Sequence, residues 1–111
     1  MRNDTKARAI SKQVKIRVAA RDSIEDWPCC VFCGRPSPDG GIEWSNAHYI
    51  SRAQGGLGIE ENILTLCPDC HRAYDQTTER EEMRAYFREY LMDHYPEWDE
   101  QKLVYRRGYA E

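Results

Sequence analysis

The chain has 111 residues, 41% of them hydrophobic, with a formal net charge of -3 and a mean hydropathy of -0.83. This length suits one domain with a modest core, and no run of about 18 apolar residues is present to cross a membrane. A pI near 5.6 sets aside a nucleic-acid binder that works by bulk positive charge. The charge is uneven, however. Arg2, Lys6, Arg8, Lys12, Lys15, Arg17 and Arg21 meet only Asp4 and Asp22 in the first 22 residues, whereas Glu79 to Glu100 is rich in acid. A basic arm of this kind can bind phosphates locally despite a negative total, or it is an ordinary solvated face.

Ser11 to Arg21 reads as a helix, with Val14, Val18 and Ala19 at helical spacing between basic residues. Ser23 to Pro28 reads as a loop. Cys29 to Cys33 and Ile42 to His48 read as two short strands joined through the turn-rich stretch Gly34 to Gly41, hence a β-hairpin. Gln54 to Gly58 is expected to be a flexible loop, and Asp69 to Asp75 a short helix that begins inside the second cysteine pair. Thr78-Glu79-Arg80-Glu81 has the form of a capping box. It precedes a helix whose apolar face carries Met83, Tyr86, Phe87, Tyr90, Leu91 and His94 and which Pro96 ends. Asp99 to Tyr105 adds a further helical turn.

Cys30-x-x-Cys33 and Cys67-x-x-Cys70 are the strongest feature of the sequence. A CxxC turn places two thiolates within reach of one ion, and two such turns complete the tetrahedral sulfur shell that Zn²⁺ prefers. The charged N-terminal stretch lacks the apolar segment of a signal peptide. The expected location is therefore the cytoplasm, where thiols stay reduced and paired cysteines bind metal. Five cysteines also leave a disulfide framework unpaired. Cys29 competes with Cys30 for the first position; the two-residue spacing favours Cys30. A closed four-sulfur site does no chemistry on a substrate, so the reactive groups lie elsewhere.

Of the histidines, His94 sits on the apolar face of the last helix, where packing or a helix-end role accounts for it. His48 closes a strand and His71 follows Cys70 directly, so a metal joining the two cysteine pairs brings both segments together. His71 and Asp75 are four residues apart, on one helical face, and can grip one ion. A neutral histidine at a strand end can take a proton from water, and an ion beside it can polarise a phosphate oxygen. Asn62 is placed to hydrogen-bond backbone and hold His48. Blander readings stay open for each: His71 as a neighbour of, or substitute for, a cysteine ligand, Asp75 as an exposed helix residue, and Gly55-Gly56 as a loop that either admits phosphate or merely turns.

The residues Cys30-Val31-Phe32-Cys33-Gly34, Asn46-Ala47-His48-Tyr49-Ile50-Ser51-Arg52, Gly55-Gly56, Glu61-Asn62-Ile63-Leu64-Thr65-Leu66 and Cys67-Pro68-Asp69-Cys70-His71 resemble an HNH endonuclease. The resemblance spans roughly Arg21 to Asp75 and is similar in kind to short phage and mobile-element proteins. It implies an α+β chain with the small ββα-metal fold, stapled by a four-cysteine zinc site and flanked by N-terminal and C-terminal helices. It places His48 at the general base, Asn62 at the central asparagine and His71 at the metal-binding histidine, with Asp75 at a further ligand position. One departure is Ala47, where many members carry a metal-binding Asp or His.

The expected organisation is one nuclease domain over 1–111, with a basic N-terminal helix in 1–22, a zinc-stapled core in 23–76 and a helical extension in 77–111. The expected activity is hydrolysis of DNA phosphodiesters. Its cofactors are a structural Zn²⁺ on Cys30, Cys33, Cys67 and Cys70 and a catalytic Mg²⁺, Mn²⁺ or Ni²⁺ on His71 and Asp75. Arg52, Lys12, Lys15 and Arg17 are expected to meet the phosphates of double-stranded DNA. A partner protein such as a phage packaging component is expected to deliver the enzyme in a bacterial or phage-infected cell, and no membrane is involved. Two rivals fit the same residues: a non-catalytic zinc module that binds DNA or protein, and a nickase active only inside a larger complex.

Overall fold

The structure, a computed structural model, describes residues 7–104. Arg2, Lys6 and Tyr105 of the sequence reading lie outside the described residues. Helix α1 (Lys12–Arg21) opens on Ser11, whose hydroxyl accepts the Val14 N–H at 3.1 Å, which satisfies one of the unpaired donors of the first turn. Its buried residues are Val14, Val18 and Ala19, the face that the spacing predicts.

The segment after α1, expected as a loop, is instead a tight hairpin. Strand β1 (Ser23–Ile24) pairs antiparallel with β2 (Trp27–Pro28). Glu25 and Asp26 between them both adopt positive φ, 52° and 69°, as a two-residue hairpin turn of matching twist requires. Neither residue is a glycine or asparagine, so the turn signal is absent from the sequence.

The expected pairing of Cys29 to Cys33 with Ile42 to His48 does not form. Cys29 makes one isolated bridge to Pro36, and the next residues curl into a knuckle in which Gly34 N–H donates to the Cys30 carbonyl at 2.9 Å. Strand β3 (Ala47–His48) pairs instead with β4 (Ile63–Leu64), Ala47 opposite Leu64 and His48 opposite Ile63. The reason is burial: both residues of β4 and Ala47 are fully buried, so this sheet forms inside the core, whereas residues 30–33 are spent on turning their sulfurs inward. Val31 N–H still reaches the Thr65 carbonyl at 2.8 Å and fixes the knuckle to the end of β4.

Helix α2 (Pro68–Gln76) begins at Cys67, with proline at its first turn, where the missing N–H is no loss. It packs on α3 (Arg80–His94). The capping box does not form: Glu79 caps α3 without a side-chain hydrogen bond, and Thr77 does the work, donating to the Ala73 carbonyl at 2.6 Å and accepting the Glu79 N–H at 3.1 Å. Met83, Phe87 and Leu91 bury the core face of α3. Tyr86 and His94 of the expected face are exposed, and His94 Nδ1 bonds the Tyr90 carbonyl at 2.9 Å near the helix end. A 3₁₀ turn, Glu100–Leu103, supplies the tail's helical element. The ββα order β3, β4, α2 agrees with the fold that the resemblance implies, although the strands are not the pair expected. Among the described residues, no helix is long and apolar enough to cross a membrane.

Candidate active site and metal centre

Cys30, Cys33, Cys67 and Cys70 bring four sulfurs within 4.8 Å of one another. The Cys33 and Cys67 sulfurs stand 3.8 Å apart, the separation that a tetrahedral ion with sulfurs at about 2.3 Å imposes. Cys67 N-caps α2 and accepts the Cys70 N–H at 3.4 Å, while Cys30 accepts the Cys33 N–H at 3.5 Å. Burial and the neighbouring thiols push Cys70 well above the ordinary thiol range. The thiolate form therefore needs a cation to balance it, and the donor set fits one such as Zn²⁺. Cys29 stays out of the cluster: it is buried, and its thiol donates to the Trp27 carbonyl at 3.2 Å.

His48 ends β3, opposite Ile63. Burial lowers its pKa below the usual histidine value, with Arg52 and His71 acting in the same direction and the Arg8 carbonyl opposing. The ring is thus neutral at neutral pH. Asn62, fully buried, staples the chain just beyond His48. Its amide nitrogen donates to the carbonyls of Ile50 (3.2 Å) and Leu57 (2.9 Å), and its Oδ1 accepts the Ile50 N–H at 2.9 Å. Its own carbonyl accepts the Tyr49 N–H at 2.7 Å. All the hydrogen-bonding capacity of the amide nitrogen goes to backbone.

One turn apart on α2, His71 Nε2 and Asp75 Oδ2 lie 3.3 Å from each other. Two ligands at about 2.1 Å from a shared ion stand roughly 3.0–3.4 Å apart, so the pair fits a divalent cation. His48, His71 and Asp75 line one cleft of about 880 Å³, together with Lys15, Arg52 and Arg80. The structure thus assembles three titratable groups from β3 and α2 beneath three cations.

Lys15 and Arg52 of the expected cationic set reach this cleft; Lys12 and Arg17 are not among its lining residues. Arg17 pairs with Glu60 at 2.6 Å. Arg21 of the basic arm is structural. It is nearly buried, binds the buried Asp22 carboxylate at 2.7 and 2.9 Å, and donates to the carbonyls of Glu60 and Ile63. Arg80 is the cation that the sequence reading overlooks. Its Nη1 donates to the Tyr74 carbonyl at 2.9 Å and its guanidinium lies 4.3 Å from the Tyr74 ring centroid, which holds the charge at the rim beside Asp75. Only its proximity to α2 in sequence hinted at this.

Asn46 also lines the cleft. Alternate residues of a strand share a face, so Asn46 and His48 face the cleft while Ala47 enters the core. Of the two readings of Gly55-Gly56, the plain turn fits: Gly55 takes a left-handed φ of 89°, and a Cβ on Gly56 would overlap the Ile50 carbonyl, so the space belongs to the protein's own backbone.

Strand, loop, strand and helix around a half-buried histidine, closed by a four-cysteine cluster, define a small ββα module. The family model described as HNH endonuclease matches residues 30–77, a little under half of the chain. All four clustered cysteines, His48, Asn62, His71 and Asp75 fall within it, whereas Lys15 and Arg80 lie outside. No curated protein and no solved structure matches the chain.

Proposed function

We propose that this chain is a metal-dependent endonuclease that hydrolyses DNA phosphodiesters, with His48 as general base. The observation that carries the reading is the convergence of His48, His71 and Asp75 on one cleft rimmed by Lys15, Arg52 and Arg80. A structural Zn²⁺ on the four cysteines ties the Cys30–Cys33 turn to the start of α2. A divalent ion such as Mg²⁺, Mn²⁺ or Ni²⁺, held by His71 and Asp75, supplies charge neutralisation at the phosphate oxygens when bound.

The chain's own groups do the rest. His48, kept neutral by burial, accepts a proton from water as the water oxygen bonds to phosphorus. The bond from phosphorus to the 3′ oxygen breaks, that oxygen takes a proton from solvent, and a 5′-phosphate remains. Asn62 acts as a positioning residue: its amide fixes the backbone after His48, so the ring meets the phosphate in one orientation. Arg52, Lys15 and Arg80 neutralise backbone phosphates. Ala47, turned into the core, contributes no ligand, so His71 and Asp75 carry the protein's share of coordination. Double-stranded DNA in the cytoplasm is the proposed substrate, and the low overall basicity favours delivery by a partner, such as a phage packaging component.

The test is nicking of supercoiled plasmid by zinc-loaded protein with added Mg²⁺, Mn²⁺ or Ni²⁺, beside a His48→Ala variant. Metal-dependent cutting that drops by about 10²–10⁴-fold in the variant supports the proposal. Folded, zinc-loaded protein that cuts with none of these metals points to a non-catalytic zinc module or a partner-dependent nickase. Equal cutting by the variant removes His48 as the base.

A further inference from the structure

A second cavity, of about 480 Å³, opens between Glu61, Tyr95, Pro96, Glu97 and Trp98. None of them is among the residues that line the histidine cleft, and 95–98 lie beyond the family match. Local sequence builds one wall. Helix α3 stops at His94, two residues before Pro96, which cannot continue it. The chain then turns, with the Trp98 N–H on the Tyr95 carbonyl at 3.0 Å, so both aromatic residues reach the same cavity.

Both side chains are fixed through their polar atoms. The Tyr95 hydroxyl donates to Glu60 Oε2 at 2.9 Å and accepts from Arg21 Nη1 at 3.2 Å. Trp98 Nε1–H donates to the Glu61 carbonyl at 2.9 Å, and its ring packs edge-on against Tyr49, 5.6 Å between centroids. Both residues are only half-buried. With hydroxyl and indole N–H already satisfied, what they offer a visitor is ring surface.

The charges here do not cancel. Arg21 is met by Asp22 and Arg17 by Glu60. Among the described residues, however, the carboxylates of Glu61 and Glu97 form no ion pair and no hydrogen bond, and no basic residue lines the cavity. The exposed Glu89 and Asp93, four residues apart on the end of α3 that leads into Tyr95, are likewise unpaired. Aromatic rings beside uncompensated carboxylates attract an organic cation, because the ring quadrupole and the carboxylates act in the same direction. A guanidinium suits them best. Its plane stacks on a ring, its N–H fork takes a carboxylate, and it is more weakly hydrated than an ammonium. The same carboxylates repel the phosphates of DNA.

We propose that this cavity is a docking site for an arginine side chain of a protein partner, with Tyr95 and Trp98 as its walls and Glu61 and Glu97 as its anionic groups. The unpaired carboxylates continue from the cavity onto α3, more than one small cation needs, and they match a segment that carries several basic residues. The site is independent of the chemistry assigned to His48.

The experiment is proton–nitrogen NMR on the full, zinc-loaded chain. It follows the indole N–H signals of the three tryptophans, with Trp98 assigned by through-bond correlation to its own backbone. The probe is a short acetylated, amidated peptide of alternating glycine and arginine, titrated at constant ionic strength. The expected result is a saturable shift of the Trp98 signal with a Kd on the order of 1 mM, while those of Trp27 and Trp44 stay in place. In the double variant Glu61→Gln with Glu97→Gln, affinity falls about 3- to 30-fold, and the lysine version of the peptide binds the wild-type chain more weakly than the arginine one. Absence of a saturable Trp98 shift overturns the proposal, as does equal affinity in the double variant. Tighter binding of choline chloride overturns the arginine assignment in favour of a quaternary ammonium, and a saturable Trp98 shift with a short DNA duplex overturns the protein partner. These spectra need no turnover, so a chain that cuts no DNA removes the nuclease reading and leaves the docking site standing.

Discussion

The cysteine cluster and the histidine cleft are neighbours joined by α2, yet they are built in opposite ways. Each cysteine pair is local: two residues of turn set two sulfurs, Gly34 and Pro68 shape the turns, and one ion would close the whole. The cleft takes His48 from β3, His71 and Asp75 from α2, Arg80 from the start of α3 and a carbonyl from residues that precede α1. Its parts are held by neutral hydrogen bonds to backbone, above all those of Asn62. A cluster that depends on one ion would fail all at once, whereas a cleft held by many modest bonds would fail by degrees.

The largest expected effect follows from breaking the cluster. Cys67→Ser removes a metal ligand while leaving a hydroxyl that can still cap α2, and structural zinc in small modules is worth about 10–16 kcal/mol, comparable to the whole stability of a domain. Loss of the cooperative unfolding transition by circular dichroism, reproduced in the wild-type chain by a strong chelator, is the expected result; a variant with an unchanged transition would refute a structural role for the ion. Breaking the cleft's support is milder. Asn62→Ala leaves the Ile50 and Leu57 backbone groups without their partners, at a cost of about 2–4 kcal/mol. A lower urea midpoint with full zinc content is the expected signature.

Two smaller effects sharpen the contrast. Burial alone would raise the pKa values of Glu60 and Glu100, but hydrogen bonds from Arg17 and Tyr95, and from Arg84 and Tyr49, outweigh it and lower both. Stability from these pairs is present above the ordinary glutamate value of 4.5 and is lost as pH falls through the lower folded values. Urea midpoints should drop below about pH 4.5, and the double variant Glu60→Gln with Glu100→Gln should flatten that part of the curve. In the β1–β2 turn, Asp26→Gly relieves a positive φ of 69° and should raise stability by about 1 kcal/mol, visible as a small rise in Tm, while leaving cluster and cleft unchanged.

Spacing in the sequence was enough for the cluster, for α1 with its Val14, Val18 and Ala19 face, and for the shared face of His71 and Asp75, because each depends on neighbours within one or two turns. It also singled out His48 and Asn62 through the motif they share. Tertiary structure alone decided the partner of β3, since β4 pairs where full burial of Ile63 and Leu64 outweighs any strand signal in two residues. It decided that Arg21 is locked to Asp22 rather than offered to phosphate, that Arg80 joins the cleft, and that Ala47 and Asn46 face opposite ways. The contact of the Arg8 carbonyl with His48 was equally hidden, since a backbone carbonyl has no residue type to read. Local spacing specifies what one turn of chain can bring together; burial and long-range backbone bonds specify the rest.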